Sequence, residues 1–238
     1  MKVITVVSED NNAGCLQLKR SLSHFGYELD TLIHPFQFGG QMKHIYEWCK
    51  SNWGDFLYTD GWDTFALAPV EELITKWEKF KELGCEVLLS AEKNCYPLRE
   101  TADYYPKEKC RWRYVNGGGM MGTCEGFVRM FEDGTLDGTH ERNDQQWLAE
   151  QYIRSKGEYP DKFPRKNTTN IWLDTQCEIF QTIAFENDYD FIRMVEPITE
   201  YKNGWKDRLR VINNETGSRP IFFHGNAHTP MQKIWNLL

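Results

Sequence analysis

Short apolar, β-branched runs alternate along this chain with stretches of helical periodicity, and that alternation restricts the possible folds more than any other feature. Val3-Ile4-Thr5-Val6-Val7 predicts a first core strand, and residues 13–25 read as the helix that follows it. Phe56-Leu57-Tyr58-Thr59 predicts another strand. The clearest helix comes next. Pro69 suits a first helical position, Val70, Leu73, Ile74, Trp77 and Phe80 fall on one face, and Gly84 supplies the stop. Val87-Leu88-Leu89 then reads as a short buried strand. This order predicts an α/β fold, a mixed and mostly parallel sheet flanked by helices, whose ligands bind at the carboxyl ends of the strands.

The second half is less regular. Tyr114-Val115 leads into Asn116-Gly117-Gly118-Gly119, where missing side chains permit positive φ or close approach to a ligand. Helices are expected over 124–131 and 144–154, and a polar loop over 156–169. Short strands are expected at Ile171-Trp172-Leu173, Ile179-Phe180-Gln181 and Ile221-Phe222-Phe223. The alternating cations Lys109, Arg111 and Arg113 read as a solvated strand face.

Composition narrows the class. With 40% hydrophobic and 26% charged residues the chain is globular rather than disordered. A formal charge of −7 argues against a broad non-specific nucleic-acid surface. The nine Trp, eleven Tyr and fourteen Phe read first as core and interface packing, although flat rings also line pockets for sugars and bases. The seven cysteines form no Cys-x-x-Cys pair or Cys/His cluster, which predicts free thiols in a reducing compartment. The first strand turns polar at Ser8-Glu9-Asp10, too early for a signal peptide or membrane span, so a cytoplasmic protein without membrane association is expected. The glycosylation sequons at Asn167 and Asn214 then read as chance matches.

Asp60-Gly61-Trp62-Asp63 puts two carboxylates where the strand over 56–59 should end. Hard divalent cations are bound by clustered carboxylate oxygens at such positions. His224, just past Ile221-Phe222-Phe223 and followed by Gly225, is a candidate third ligand. Two carboxylates and one imidazole with open positions suit Mn²⁺ better than a closed structural zinc site. On spacing alone the alternative stands equally, with Asp60-Gly61 a simple turn and His224 a hydrogen-bonded histidine at a strand end. Asn116 to Gly119 lacks the spacing and lysine of a P-loop, and Gly39-Gly40-Gln41 is no dinucleotide fingerprint. Asp144, at a predicted helix start, reads first as an N-cap worth ~1 kcal/mol. Cys124 and His140 suggest no nucleophile–base pair.

Several of these segments recur together in one known family. Val3-Ile4-Thr5-Val6, Gly39-Gly40-Gln41, Tyr58 through Asp63, Leu89-Ser90-Ala91-Glu92 with Cys95-Tyr96-Pro97, Asn116 through Gly119, Asn143-Asp144-Gln145, Leu173-Asp174 and Pro220 through Asn226 occur in this order. The series resembles the glycosyltransferase domain of the procollagen lysyl hydroxylases and related collagen-type galactosyl- and glucosyltransferases. The resemblance implies a GT-A-like fold, a UDP-sugar donor (UDP-glucose or UDP-galactose) and a Mn²⁺ ion on Asp60, Asp63 and His224. It implies that Trp62, where the family has Tyr, stacks on the uracil. Thr5 would lie near the nucleotide, and Gly225 and Asn226 beside the diphosphate. Asp144 would face the sugar or acceptor as the catalytic carboxylate. The chain is accordingly read as one domain over 1–238, with a nucleotide-binding half over about 1–100 and a sugar and acceptor half over about 101–238.

The departures gather around sugar, phosphate and acceptor. Asp144 is the only carboxylate immediately before Gln145 where the family has an acidic run. Tyr96 replaces a Trp, Met42 a Lys with Lys43 following, Gly117 a Ser and Pro230 a Lys. They leave donor sugar and acceptor open, the acceptor being a hydroxyl of a hydroxylysine-like residue, a saccharide or a modified nucleobase. The alternatives are a nucleotide-sugar-binding protein without transfer activity and a nucleotidyltransferase. For the latter no glycine-rich Arg/Lys signature is present.

Overall fold

The computed structural model describes residues 1–35, 39–134, 141, 143–164, 168–184, 186–195, 210–226, 229 and 231. His140, Asn167 and Pro230 lie outside these residues. The main sheet contains β1 (Lys2–Val7), β2 (Glu28–Ile33), β3 (Asp55–Thr59), β5 (Val87–Glu92), β6 (Tyr114–Thr123) and β7 (Ile171–Leu173), in the order β2-β1-β3-β6-β5-β7. Only β6 runs antiparallel to its neighbours β3 and β5; the other pairs are parallel. The mixed, mostly parallel sheet matches the sequence expectation.

The period of two along each strand sorts side chains onto two cores. Ile4, Val6, Phe56, Tyr58, Val87 and Leu89 face helices α2 (Gln41–Ser51), α4 (Cys124–Gly134) and α5 (Asp144–Lys156). Val3, Leu57 and Leu88 face α1 (Ala13–His24), α3 (Val70–Glu82) and a second, smaller sheet. Both faces of the strands are thus covered, which is why they read as continuous apolar runs rather than as alternation.

The second sheet has the order β4 (Thr64–Ala66), β11 (Phe222–Asn226), β8 (Phe180–Ala184), with β11 antiparallel to β4 and parallel to β8. Strand β4 begins directly after Asp63, so this small sheet attaches the far end of the chain to the Asp60–Asp63 turn. A further antiparallel pair, β9 (Ile192–Val195) and β10 (Arg210–Asn213), completes the strands among the described residues.

Three expectations need correction. Pro69 is the residue before the helix, with extended backbone at φ −66° and ψ 155°, and α3 starts at Val70. The cations of 107–113 are in irregular chain, not in a strand. Gly117, Gly118 and Gly119 lie inside β6, and none of them has positive φ. Their missing side chains serve close approach, and the neighbour is the protein itself. A Cβ on Gly119 would stand 2.7 Å from the Phe180 ring, and one on Gly118 would stand 2.1 Å from the His224 ring. Among the described residues no helix is long and apolar enough to cross a membrane.

Candidate active site

A cleft of about 310 Å³ opens at the carboxyl ends of β1, β3 and β11, where the sequence places its candidate ligands. Asp60 is the first residue after β3. Its backbone N–H donates to the Gly118 carbonyl at 3.0 Å, and its Oδ1 accepts from the Tyr58 hydroxyl at 2.7 Å. Two close contacts shape the turn that follows. A Cβ on Gly14 would lie 1.8 Å from the Trp62 carbonyl oxygen, so only glycine lets the start of α1 approach the turn. Gly61 is equally confined, against Val7 and Thr5.

His224 reaches the turn through strand pairing. In the β11–β4 register it lies opposite Thr64, and the next residue, Gly225, donates its N–H to the Asp63 carbonyl at 2.9 Å. The imidazole is only 3% exposed, with Nε2 at 3.5 Å from Asp60 Oδ2 and 3.4 Å from Asp63 Oδ1. These are long for hydrogen bonds, and among the described residues neither ring nitrogen has a hydrogen-bond partner. One potential ligand atom from each of the three residues lies within 4.8 Å of the others, a spacing that an ion with bonds of roughly 2.0–2.2 Å can bridge. Two carboxylates and a buried imidazole, gathered too loosely for good hydrogen bonds to each other, fit a divalent metal.

Burial by itself lowers the pKa of His224, but the Asp63 and Asp60 carboxylates outweigh it and raise the value to about 10. The metal-free imidazole is therefore charged at neutral pH. A raised native pKa stabilises the fold below the unfolded value near 6.5 and ceases to do so as pH rises through the native value. The urea midpoint of the metal-free protein is expected to fall between about pH 6.5 and about pH 10, and His224→Gln is expected to flatten that slope. An unchanged slope in the variant would remove this linkage.

Asp144 lines the same cleft from the first turn of α5. It is not the cap: Asn143 is, accepting from the Gln146 N–H at 2.8 Å. Asp144 instead turns across the cleft, where its Oδ2 accepts from the Gln41 N–H at 3.3 Å, at the start of α2. That helix has Gly40, which offers no side-chain cap, just before its first residue, so Asp144 puts a carboxylate at its positive end. Burial raises the Asp144 carboxyl to about 7, against the opposing pull of the Gln41, Gly40 and Met42 N–H groups. Its Oδ1 has no hydrogen-bond partner among the described residues.

The remaining expected residues divide. Trp62 lines the cleft at 39% exposure, and Asn226 lines it beside His224. Thr5 is fully buried under Gly61, and Gly225 packs against Met231, so both lie beneath the cleft wall. Met42 is buried in the core while Lys43 is exposed, and Tyr96 stands 61% exposed at the cleft. Among the described residues that line the cleft there is no Lys or Arg.

Glu92 appears in the sequence only as the end of Leu89-Ser90-Ala91-Glu92, with no role assigned to it. At the end of β5 its carboxylate, 2% exposed, accepts from Asn116 Nδ2 at 3.2 Å, Gln145 Nε2 at 2.7 Å and Asn226 Nδ2 at 3.3 Å. It thus sets the direction of three amides that line the cleft from β6, α5 and β11. Burial raises its pKa, with the amide donors opposing. The available signal was the one that marked Asp60, an acidic residue ending an apolar strand.

Comparison with known proteins adds the lineage. The family model described as PLOD GT domain matches residues 1–237. Uncharacterized protein R699 of Acanthamoeba polyphaga mimivirus is 28% identical over 177 residues, covering 74% of this chain and 32% of that protein. Human procollagen-lysine,2-oxoglutarate 5-dioxygenase 1 is 24% identical over 244 residues, covering 97% of this chain and 30% of that protein. The chain therefore spans about a third of the length of the curated relatives it matches. Among solved structures, a glycosyltransferase involved in glycosylation of the major capsid of PBCV-1 aligns with a TM-score of 0.46 and 10% identity, over 98% of this chain and 96% of that one.

Proposed function

The chain belongs to the PLOD GT domain family, and on that footing we propose that it is a metal-dependent hexosyltransferase acting on a UDP-sugar. The donor is UDP-glucose or UDP-galactose, and the acceptor is a hydroxyl of a hydroxylysine-like residue, a saccharide or a modified nucleobase. The observation that carries this reading is the convergence of Asp60, Asp63 and the buried imidazole of His224 at one end of the cleft. The described cleft lining has no Lys or Arg, and the imidazole of His224 faces two carboxylates, so the charge of a leaving diphosphate needs another counterion. Bound Mn²⁺ would supply Lewis acidity there, worth several kcal/mol, roughly.

The protein's own residues do the rest. Asp60, Asp63 and His224 hold the ion, and Trp62 offers its indole face to the uracil. Thr5 supports Gly61 from below, and Gly225 fixes the Asp63 carbonyl, so these two act by shaping the turn. Asn226, oriented by Glu92, flanks the diphosphate. Asp144, with its carboxyl poised near neutrality, accepts the proton of the acceptor hydroxyl as the sugar is transferred. Residues 1–100 supply most of the nucleotide side, His224 and Asn226 join it from the second half of one domain, and that half also carries Asp144. Seven unbridged cysteines suit a reducing, cytoplasmic location.

Incubation with UDP-glucose, UDP-galactose and Mn²⁺ tests the proposal, because slow release of UDP into water is expected even without acceptor. Asp144→Asn is expected to lower kcat by ~10²–10⁴ while sparing UDP affinity. A loss confined to UDP affinity would move Asp144 to the nucleotide. Binding without release, with several acceptors tried, favours a silent nucleotide-sugar-binding protein, a reading to which the single acidic residue before Gln145 and the exposed Tyr96 lend some weight.

A further inference from the structure

Two cysteines far apart in sequence meet in the core. Cys49 lies in the last turn of α2 and Cys124 is the first residue of α4; both are 2% exposed and belong to one core cluster. The two helices pack against each other, and the two thiols are hydrogen-bonded. The turn of residues 52–54 ties both ends together. Asn52 donates its N–H to the Cys49 carbonyl at 3.3 Å, and the Cys124 N–H donates to the Gly54 carbonyl at 2.9 Å. Trp53 in that turn is 92% exposed, so the thiol pair lies directly beneath a surface turn.

The two positions differ chemically. A helix N-terminus favours a thiolate, and Cys124 occupies one; Cys49 sits at a helix C-terminus, which disfavours it. The Cys49 thiol is therefore the donor. Its hydrogen bond holds the Cys124 thiol below the usual value, against burial and the Asp55 carboxylate, and the same contact with burial pushes Cys49 up. Asp55 is itself engaged by Lys81 at 2.9 Å. Cys15, Cys85, Cys95, Cys110 and Cys177 are all pushed up, chiefly by burial, so Cys124 is the one cysteine shifted toward the reactive form. We propose that Cys124 and Cys49 are a hydroperoxide-reactive pair, in which the Cys124 sulfur attacks the peroxide and Cys49 closes a disulfide between α2 and α4. The Cys124 thiolate takes one oxygen from the O–O bond and becomes a sulfenic acid, while the rest of the peroxide leaves as water or an alcohol. The Cys49 sulfur then displaces the sulfenic hydroxyl, which departs with the Cys49 proton as water. The two thiols thereby lose two electrons and the peroxide gains them. Sulfurs already in hydrogen-bond contact reach the ~2.05 Å bond length by a small shift of the helix ends.

The test treats the full folded chain with hydrogen peroxide, alkylates the remaining thiols under denaturing conditions, and maps the peptides by mass spectrometry. The wild type is expected to give a Cys49–Cys124 cross-linked peptide that dithiothreitol abolishes. It should form about tenfold faster than Cys95, the one cysteine that is not buried, is oxidised. Cys49→Ala removes the resolving thiol and is expected to leave a sulfenic acid on Cys124 that dimedone captures. In Cys124→Ala, Cys49 should stay reduced. The wild-type measurement needs no substitution, so it decides the matter even where a variant fails to fold. Oxidation of Cys95 ahead of the pair, a disulfide that forms only in urea, or a lasting Cys124 sulfenic acid in the folded wild type overturns the inference.

Discussion

Asp60→Ala is expected to lower UDP-sugar turnover by ~10²–10³ or more and to remove its dependence on Mn²⁺. Asp60 would be lost both as a ligand and as the acceptor of the Tyr58 hydroxyl, whose oxygen is 2.7 Å away. A bound ion on the leaving diphosphate is worth several kcal/mol, and each ~1.4 kcal/mol is tenfold in rate. A Mn²⁺ titration of wild type and variant, alongside UDP release from the donor, reads both losses. Turnover and metal dependence surviving in the variant would mean that the Asp60–Asp63 turn is not the metal site.

Gly118→Ala is expected to damage the same site from a residue that offers no ligand atom. Its Cβ would lie 2.1 Å from Cε1 and 2.5 Å from Nε2 of His224, closer than real contacts allow. The ring has little room to retreat, since His224 is held in register between β4 and β8. Either the imidazole leaves its position beside the carboxylates or β6 and β11 move apart. Overpacking of this kind costs about 1–3 kcal/mol of stability. Displacing a supporting contact of a metal ligand typically lowers metal affinity by ~10–100-fold. Circular dichroism would confirm the fold, and Mn²⁺ titration would measure the loss. Wild-type affinity in a folded variant would show that β6 does not hold the ring.

Much of this frame was legible in the sequence, for reasons tied to particular residues. Apolar runs at Val3 to Val7 and Phe56 to Thr59 announced strands covered on both faces, and both formed. Leu73 and Trp77 on α3 are fully buried, as their spacing predicts. Asp60 was visible because a carboxylate closing an apolar strand is conspicuous. Glu92 occupies the same kind of position but received no role, because its partners Asn116, Gln145 and Asn226 are distant from it in sequence and meet only in the fold. Asp144 looked like a helix cap because helix starts favour such residues, yet Asn143 one residue earlier takes that role. The glycines after Asn116 suggested positive φ or close approach to a ligand, because composition does not reveal that a long antiparallel strand passes there between β3 and β5.

What the sequence determined by itself was local and periodic: which segments are strands or helices, where strands end in carboxylates, and the ordered motifs that mark the family. Pairing decided the rest. Strand β4 opens right after Asp63 and pairs with β11, which brings His224 from the far end of the chain to the two carboxylates. Packing of α5 against β6 carried Asp144 to the start of α2, and packing of α2 against α4 set Cys49 beside Cys124. Contacts between distant segments depend on strand register and on the space left by residues such as Gly118. Those are properties of the folded chain, set by burial and hydrogen bonding across the whole sheet, and no single stretch of sequence carries them.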